Sequence, residues 1–160
     1  MKQFGIVLFI IIVAAHAGPA RAQVEIGPEL MLEQVKYLSG KDLHGRGLGT
    51  PELDKAAAFI AARFEAVGLL PGGDPSGSWY QEWVDPETRT GMRNVVGILP
   101  GRNPTLSRES VVIGAHYDHL GARGTSKGND GRVHPGADDN ASGVAVLLEM
   151  ASRLTLVANM

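Results

Sequence analysis

The chain has 160 residues, of which 44% are hydrophobic and 20% are charged, and its formal net charge is −2. This length fits one globular domain. Charges of both signs are interspersed without a basic patch, which argues against nucleic acid as a partner. The chain has no cysteine, so disulfides and thiolate ligands are excluded and any bound metal must be held by oxygen and imidazole.

The first residues are typical of a secretory signal peptide. Lys2 precedes an apolar run from Phe4 to Ala15, which is too short to span a membrane and has the length of a signal-peptide core. Small residues favour cleavage after Ala22 over a retained membrane anchor, with Ala17 as an alternative cleavage position. We predict a signal peptide over residues 1–22, a secreted or periplasmic protein, and no stable membrane insertion after cleavage.

Two helices are predicted next. Leu30, Val35 and Leu38 have helical spacing over Glu29–Leu38, and Ser39-Gly40 ends that helix. Thr50-Pro51 starts the second helix, with threonine suited to the cap and proline to the first turn. This helix stops at Gly68 and carries four core residues, namely Phe59, Ile60, Phe64 and Val67.

Strands are predicted after a turn-rich loop at Pro71–Gly77. Trp79 to Val84 alternates in a way that predicts a strand with alternating burial, rather than an exposed aromatic specificity pocket. Met92 to Leu99 is predicted as the next strand, with a turn at Pro100-Gly101.

The first segment with metal-ligand chemistry ends a third predicted strand. The run from Glu109 to Ala115 is β-branched and apolar through its middle, which indicates a strand buried on both faces of an α/β sheet. His116 then lies at the carboxyl end of that strand, where such sheets place their ligands. Asp118 falls on the same side as His116 and is suited to fix its tautomer by a hydrogen bond.

The second segment, His134–Gly143, carries adjacent carboxylates at Asp138 and Asp139 before a predicted helix. The helix has five apolar residues at helical spacing, with Asn140 or Ser142 as its cap, the five being Val144, Leu147, Leu148, Ala151 and Leu154. Two neighbouring carboxylates repel each other unless a cation lies beside them. Between the two segments, the polar, glycine-rich loop from Gly121 to Val133 is predicted to lie at the mouth of the site.

Gly-Ala-His116-Tyr-Asp118-His119 followed by Pro-Gly-Ala-Asp138-Asp139-Asn-Ala-Ser-Gly resembles the dizinc exopeptidases of clan MH, of the secreted bacterial leucyl-aminopeptidase type. The resemblance runs from about Leu38 to the chain end. It includes three further motifs, Leu43-His-Gly-Arg46-Gly, Ala66-Val-Gly-Leu-Leu-Pro71 and Arg93-Asn-Val-Val-Gly97. It implies an α/β fold with a mixed, largely parallel sheet flanked by helices.

The resemblance also implies a zinc-dependent aminopeptidase that hydrolyses the amino-terminal peptide bond of a peptide substrate, with two Zn²⁺ per complete domain. His116 would bind one zinc ion, Asp139 would bridge both, and Asp118 would orient His116. Asp138 has no ligand role in the family's pattern. His44, His119 and His134 are likewise left outside the ligand set.

The family takes its general-base glutamate and remaining ligands from segments beyond those seen here, so residues 23–160 are interpreted as the N-terminal part of a truncated catalytic domain. Glu149, the one acidic residue after Asp139, is predicted to be a surface or helix-flank carboxylate rather than the base. With two protein ligands, the isolated chain is expected to bind metal weakly and not to turn over substrate.

Two alternatives stay open at this point. One is a non-catalytic binding or interaction module of the same fold. The other is a relative with carboxypeptidase or glutaminyl-cyclase-like chemistry, since fold does not settle the reaction. The oligomeric state is left undetermined.

Overall fold

The computed structural model describes residues 27–122 and 132–158. The predicted signal peptide at residues 1–22 and most of the predicted loop between Gly121 and Val133 lie outside the described residues, so both stay predictions. The described part contains three α-helices and two small antiparallel sheets.

The first two helices confirm the predicted elements. Helix α1 spans Pro28–Leu38 and helix α2 spans Pro51–Ala66. The Thr50 side chain caps α2 by accepting a hydrogen bond from the amide of Leu53 at 3.3 Å, which satisfies one of the free donors of the first turn. A short 3₁₀ helix, Lys41–Leu43, lies between the two helices.

Helix α3 spans Ser142–Ala158 and follows a π-helical turn at Ala137–Ala141. Neither predicted cap residue caps it in the expected way. The hydroxyl of Ser142 donates to the carbonyl of Asp138 at 2.9 Å, and the side-chain amide of Asn140 donates to the carbonyl of His116 at 3.3 Å. The entry into α3 is therefore tied to the His116 segment.

The core lies where the three helices meet. Its buried residues come from α1, the 3₁₀ helix, α2, and α3 with the turn before it, and are Leu38, Leu43, Ala56, Ile60, Phe64, Ala141, Val144 and Leu148. Burial of each large side chain contributes about 1.5–3 kcal/mol. By length and composition alone, Ala137–Ala158 would suit a membrane span, but one face of this stretch packs in the core.

The strands are short and pair antiparallel. Strand β1, Leu70–Pro71, pairs with β4, Gly97–Ile98, and β2, Tyr80–Val84, pairs with β3, Gly91–Val95. The predicted strand at Trp79–Val84 is thus present as β2, whereas the single predicted strand at Met92–Leu99 is observed as two strands, β3 and β4, in different sheets. The predicted alternation of burial is not observed, because every residue from Gln81 to Val84 is exposed.

The predicted buried strand at Glu109–Ala115 is not formed within the described residues. Val111 and Val112 are 89% and 90% exposed, and the segment pairs with no strand among the described residues. Only Ala115, at its end, packs against the core. A β-branched run has the composition of a buried strand, but neighbouring strands and helices are what bury it. The mixed α/β character holds, whereas the ladders described here are antiparallel rather than largely parallel.

Glu149 also differs from its prediction as a surface or flank residue. It is only 7% exposed, and its carboxylate pairs with Arg153 at 2.7 Å and accepts from the amide of Gly27 at 3.3 Å. The helix turns this carboxylate inward, where a cation one turn later and a backbone donor satisfy it. Its two oxygens thus make structural contacts, and the expectation that Glu149 is not the catalytic base stays a prediction.

Candidate metal centre

The structure brings His116 and Asp139 together although 23 positions separate them in the sequence. The imidazole Nε2 of His116 lies 3.0 Å from Oδ1 of Asp139. Both side chains are well exposed, at 54% and 67%. The two segments therefore converge on one accessible point.

Asp118 lies on the other side of the His116 ring. Its Oδ1 is 3.4 Å from Nδ1 of His116, and its own backbone carbonyl oxygen is 3.2 Å from the same nitrogen. With a metal ion on Nε2, these acceptors would keep the proton of the neutral ring on Nδ1. This geometry suits the predicted orienting role of Asp118.

The pair fits one edge of a zinc coordination sphere. Tetrahedral zinc with ligands at about 2.0–2.2 Å places neighbouring donors about 3.3–3.6 Å apart. The observed 3.0 Å is a few tenths shorter, and an exposed Asp139 side chain can supply that difference by a small rotation. Within the described residues, no group of three or more histidine, aspartate or glutamate side chains forms a complete metal site. The donors present thus suit part of a zinc site.

The turn before α3 presents Asp139 to His116. Gly136 has φ +61°, and its carbonyl accepts from the amide of Ala141 at 3.1 Å, which closes the turn. A Cβ on Gly136 would lie 2.5 Å from the carbonyl oxygen of Asp139, so only glycine fits. Inside this turn Asp139 has a non-helical backbone and is joined to Asn140 by a cis peptide bond.

Two further histidines lie nearby. Nδ1 of His119 is 3.5 Å from Oδ2 of Asp139, whereas His116 faces the other oxygen of that carboxylate. His134 is stacked edge-on against His119 with ring centroids 6.5 Å apart. The sequence placed both histidines outside the ligand set, and the structure brings His119 within reach of the Asp139 carboxylate.

Arg46 lies near the site, within the motif Leu43-His-Gly-Arg46-Gly, and no role was predicted for it. Its side chain is fully buried and donates to the carbonyls of Tyr117, Pro135 and Gly136 at 2.7, 2.8 and 2.8 Å. It also donates to the carbonyl of Leu38 at the end of α1. Its partners are backbone carbonyls, so the sequence carried no side-chain pattern that would have indicated this role.

Burial of Arg46 and the carboxylates around it have opposite effects on its pKa. Burial lowers the pKa of Arg46 from its ordinary value, while the carboxylates of Asp118 and Asp139 act in the opposite direction.

Next to His116, burial raises the pKa of Tyr117 to about 12, and its hydroxyl donates to the carbonyl of Arg93 at 2.7 Å. Tyr117 is therefore neutral at physiological pH, and its hydroxyl proton is engaged by a backbone carbonyl.

Both ligand segments of this site lie in a part of the chain that matches a known protein family. Residues 94–158 match the family model of peptidase family M28. Leucine aminopeptidase 1 of Trichophyton equinum is 43% identical over 135 residues, which is 84% of this chain and 33% of that protein. Leucine aminopeptidase 1 of Trichophyton rubrum is 30% identical over 115 residues, covering 61% of this chain and 28% of the relative. The uncharacterized protein YfbL of Escherichia coli is 34% identical over 130 residues, covering 79% and 34%.

The chain spans about a third of the length of these relatives. No solved structure matches it. The segment matched by the family model contains His116, Asp118 and Asp139, and the predicted resemblance to zinc exopeptidases is confirmed. The similarity of this chain to peptidase family M28 thus covers residues 94–158.

Proposed function

We propose that this polypeptide is part of a secreted or periplasmic zinc aminopeptidase that removes amino-terminal residues from peptides. The observation that carries the proposal is the 3.0 Å approach of His116 Nε2 to Asp139 Oδ1, inside the segment that matches peptidase family M28. The leucine aminopeptidases among the relatives support the choice of reaction.

In this proposal His116 and Asp139 would hold zinc, with Asp139 shared between the two ions of the complete site, and Asp118 would hold the His116 tautomer. Bound zinc would lower the pKa of a water molecule and polarise the scissile carbonyl. The chain's own contribution is positional. Asp118 keeps the proton on Nδ1 of His116, and the turn at Gly136 keeps the Asp139 carboxylate in front of Nε2.

We also propose that Glu109–Ala115 is a strand of a larger, mostly parallel sheet. Val111 and Val112 are almost fully exposed, and adjacent exposed valines are typical of a surface that another element covers. The single parallel bridge of the described residues, Gly47 with His119, lies just beyond this segment, which supports a parallel neighbour.

The test is hydrolysis of leucine p-nitroanilide by the protein expressed from its complete coding sequence, with and without a chelator. We expect chelator-sensitive activity that zinc restores. Asp139→Asn should abolish it, whereas Asp138→Asn should retain most of it, because the neighbouring carboxylate has no assigned ligand role. Chelator-insensitive activity, or equal loss in both variants, would contradict the proposal.

A further inference from the structure

We propose that Arg46 is a positioning residue of the metal site, whose buried guanidinium sets the spacing between the segment carrying His116 and the turn carrying Asp139. This inference rests on the proposed function, because it concerns the same site. Arg46 acts through backbone carbonyls and is not itself a ligand.

The hydrogen bonds of Arg46 reach both halves of the site. Nε donates to the carbonyl of Tyr117, which directly follows His116. Nη2 donates to the carbonyl of Gly136, the residue that opens the turn leading to Asp139. One rigid planar group is thus bonded to both ligand segments at once.

The remaining contacts fix that planar group in the fold. Nη1 donates to the carbonyls of Pro135 and of Leu38, the last residue of α1. The backbone carbonyl of Arg46 accepts from the amide of His119 at 3.1 Å. The Arg46 side chain therefore holds the Asp139 turn against the His116 segment. The Arg46 backbone, in contrast, contacts only the His116 segment.

Arginine is specifically suited to this arrangement. Its guanidinium presents five donors in a fixed fork, whereas lysine offers a compact ammonium that cannot point in all these directions. Arg46→Lys preserves the charge and removes the fork, so it separates geometry from electrostatics.

The charge of Arg46 gives a second way to separate these effects. Removing a cation that lies near Asp118 and Asp139 should strengthen the binding of a metal cation if electrostatics alone mattered. Loss of the fixed spacing should weaken it. Arg46→Met removes both the charge and the fork, so the direction of its effect shows which contribution dominates.

The experiment is a Co²⁺ titration of the full chain, read from the visible absorption of the bound ion. The control is Arg93→Lys, the same substitution at an arginine whose side chain pairs with Glu82 and Asp54 rather than with the backbone of the ligand segments. We expect Arg46→Lys to weaken Co²⁺ binding by about tenfold or more, as is usual for residues that orient ligands, and to change the absorption spectrum. Arg93→Lys should bind as the unaltered chain does.

A metal-free readout accompanies the titration. The amide of His119 is hydrogen-bonded beside the His116 segment, and the amide of Ala141 is hydrogen-bonded inside the Asp139 turn. Both amides should therefore exchange hydrogen faster in Arg46→Lys than in Arg93→Lys. Arg46→Met should weaken Co²⁺ binding at least as much as Arg46→Lys does.

Unchanged affinity, spectrum and exchange in Arg46→Lys would overturn the inference, and so would tighter Co²⁺ binding by Arg46→Met. If Arg46→Met does not fold, Arg46→Lys decides; unfolding of Arg46→Lys would show a general structural role and would also overturn it. Equal Co²⁺ binding by the unaltered chain and His116→Ala would refute the proposed function. Co²⁺ binding that is lost in His116→Ala but unchanged in the Arg46 variants would refute the positioning role alone.

Discussion

Substitution of Gly136 by alanine tests whether the turn before α3 is built as tightly as described. Gly136 has φ +61°, a conformation that costs an L-residue about 1–2 kcal/mol. The added Cβ would also lie 2.5 Å from the carbonyl oxygen of Asp139 and 2.7 Å from both Nη2 of Arg46 and Cδ2 of His119.

These contacts set the expected magnitude. The carbonyl belongs to the backbone and Arg46 is fully buried, so neither can move away at small cost. Overpacking of this kind costs about 1–3 kcal/mol, which added to the backbone cost gives a total of about 2–5 kcal/mol for Gly136→Ala. Gly68→Ala is the matched control, because Gly68 has φ +82° and its added Cβ meets nothing closer than 4.0 Å. It should lose only about 1–2 kcal/mol.

The assay is thermal or urea unfolding of the two variants, followed by circular dichroism. A chain of this size changes its midpoint by about 2–4 °C per kcal/mol, so Gly136→Ala should unfold several degrees below Gly68→Ala. A Gly136→Ala variant as stable as Gly68→Ala would refute the described packing of Gly136 against Asp139, Arg46 and His119.

Three further predictions test separate parts of the fold. Thr50→Ala removes the cap of α2 and should cost about 1 kcal/mol in urea unfolding, with Thr50→Ser restoring most of it. Leu148→Ala opens a cavity at a residue that is 3% exposed and should cost about 2–5 kcal/mol, while Leu154→Ala, at a residue 45% exposed, should cost far less by the same measurement. Hydrogen bonds from the backbone amide of Thr88 and then from its hydroxyl lower the pKa of Asp85 from its ordinary 3.8. The ionised carboxylate therefore stabilises this turn above pH 3.8, and that stabilisation is lost as the pH falls through the lowered pKa. The amide NMR shift of Thr88 should follow this transition and lose its pH dependence in Asp85→Asn.

The helices were predictable because their signals are local. The spacing of apolar residues, the Thr50 cap and Gly68 act within one or two turns of the chain, so α1 and α2 end within a residue or two of the predicted bounds. The hairpin strands near Trp79 and Met92 were also predictable from their composition.

Burial of strands was not predictable in the same way. Val111 and Val112 have the composition of a central strand, yet their exposure depends on whether other elements cover them. Burial of a helix residue is equally hard to predict from sequence, as Glu149 shows. Its sequence context indicates a flank position, but its burial follows from the orientation of α3 against α1 and from the contact with the amide of Gly27.

For the site, the residue pattern selected His116 and Asp118, and the family resemblance selected Asp139 rather than Asp138. The structure places both carboxylates, Asp118 and Asp139, beside the His116 ring. The contribution of Arg46 could not be read from spacing, because its partners are backbone carbonyls and carry no side-chain pattern. The contact of His119 with the second oxygen of Asp139 could not be predicted either, because it depends on the turn at Gly136.

The most direct test of the central claim, that His116 and Asp139 form one cation site, is calorimetric titration of the full chain with Zn²⁺. We expect weak binding that is lost in Asp139→Asn and in His116→Ala and retained in Asp138→Asn. Binding that is unchanged in Asp139→Asn, or lost equally in Asp138→Asn, would contradict the claim.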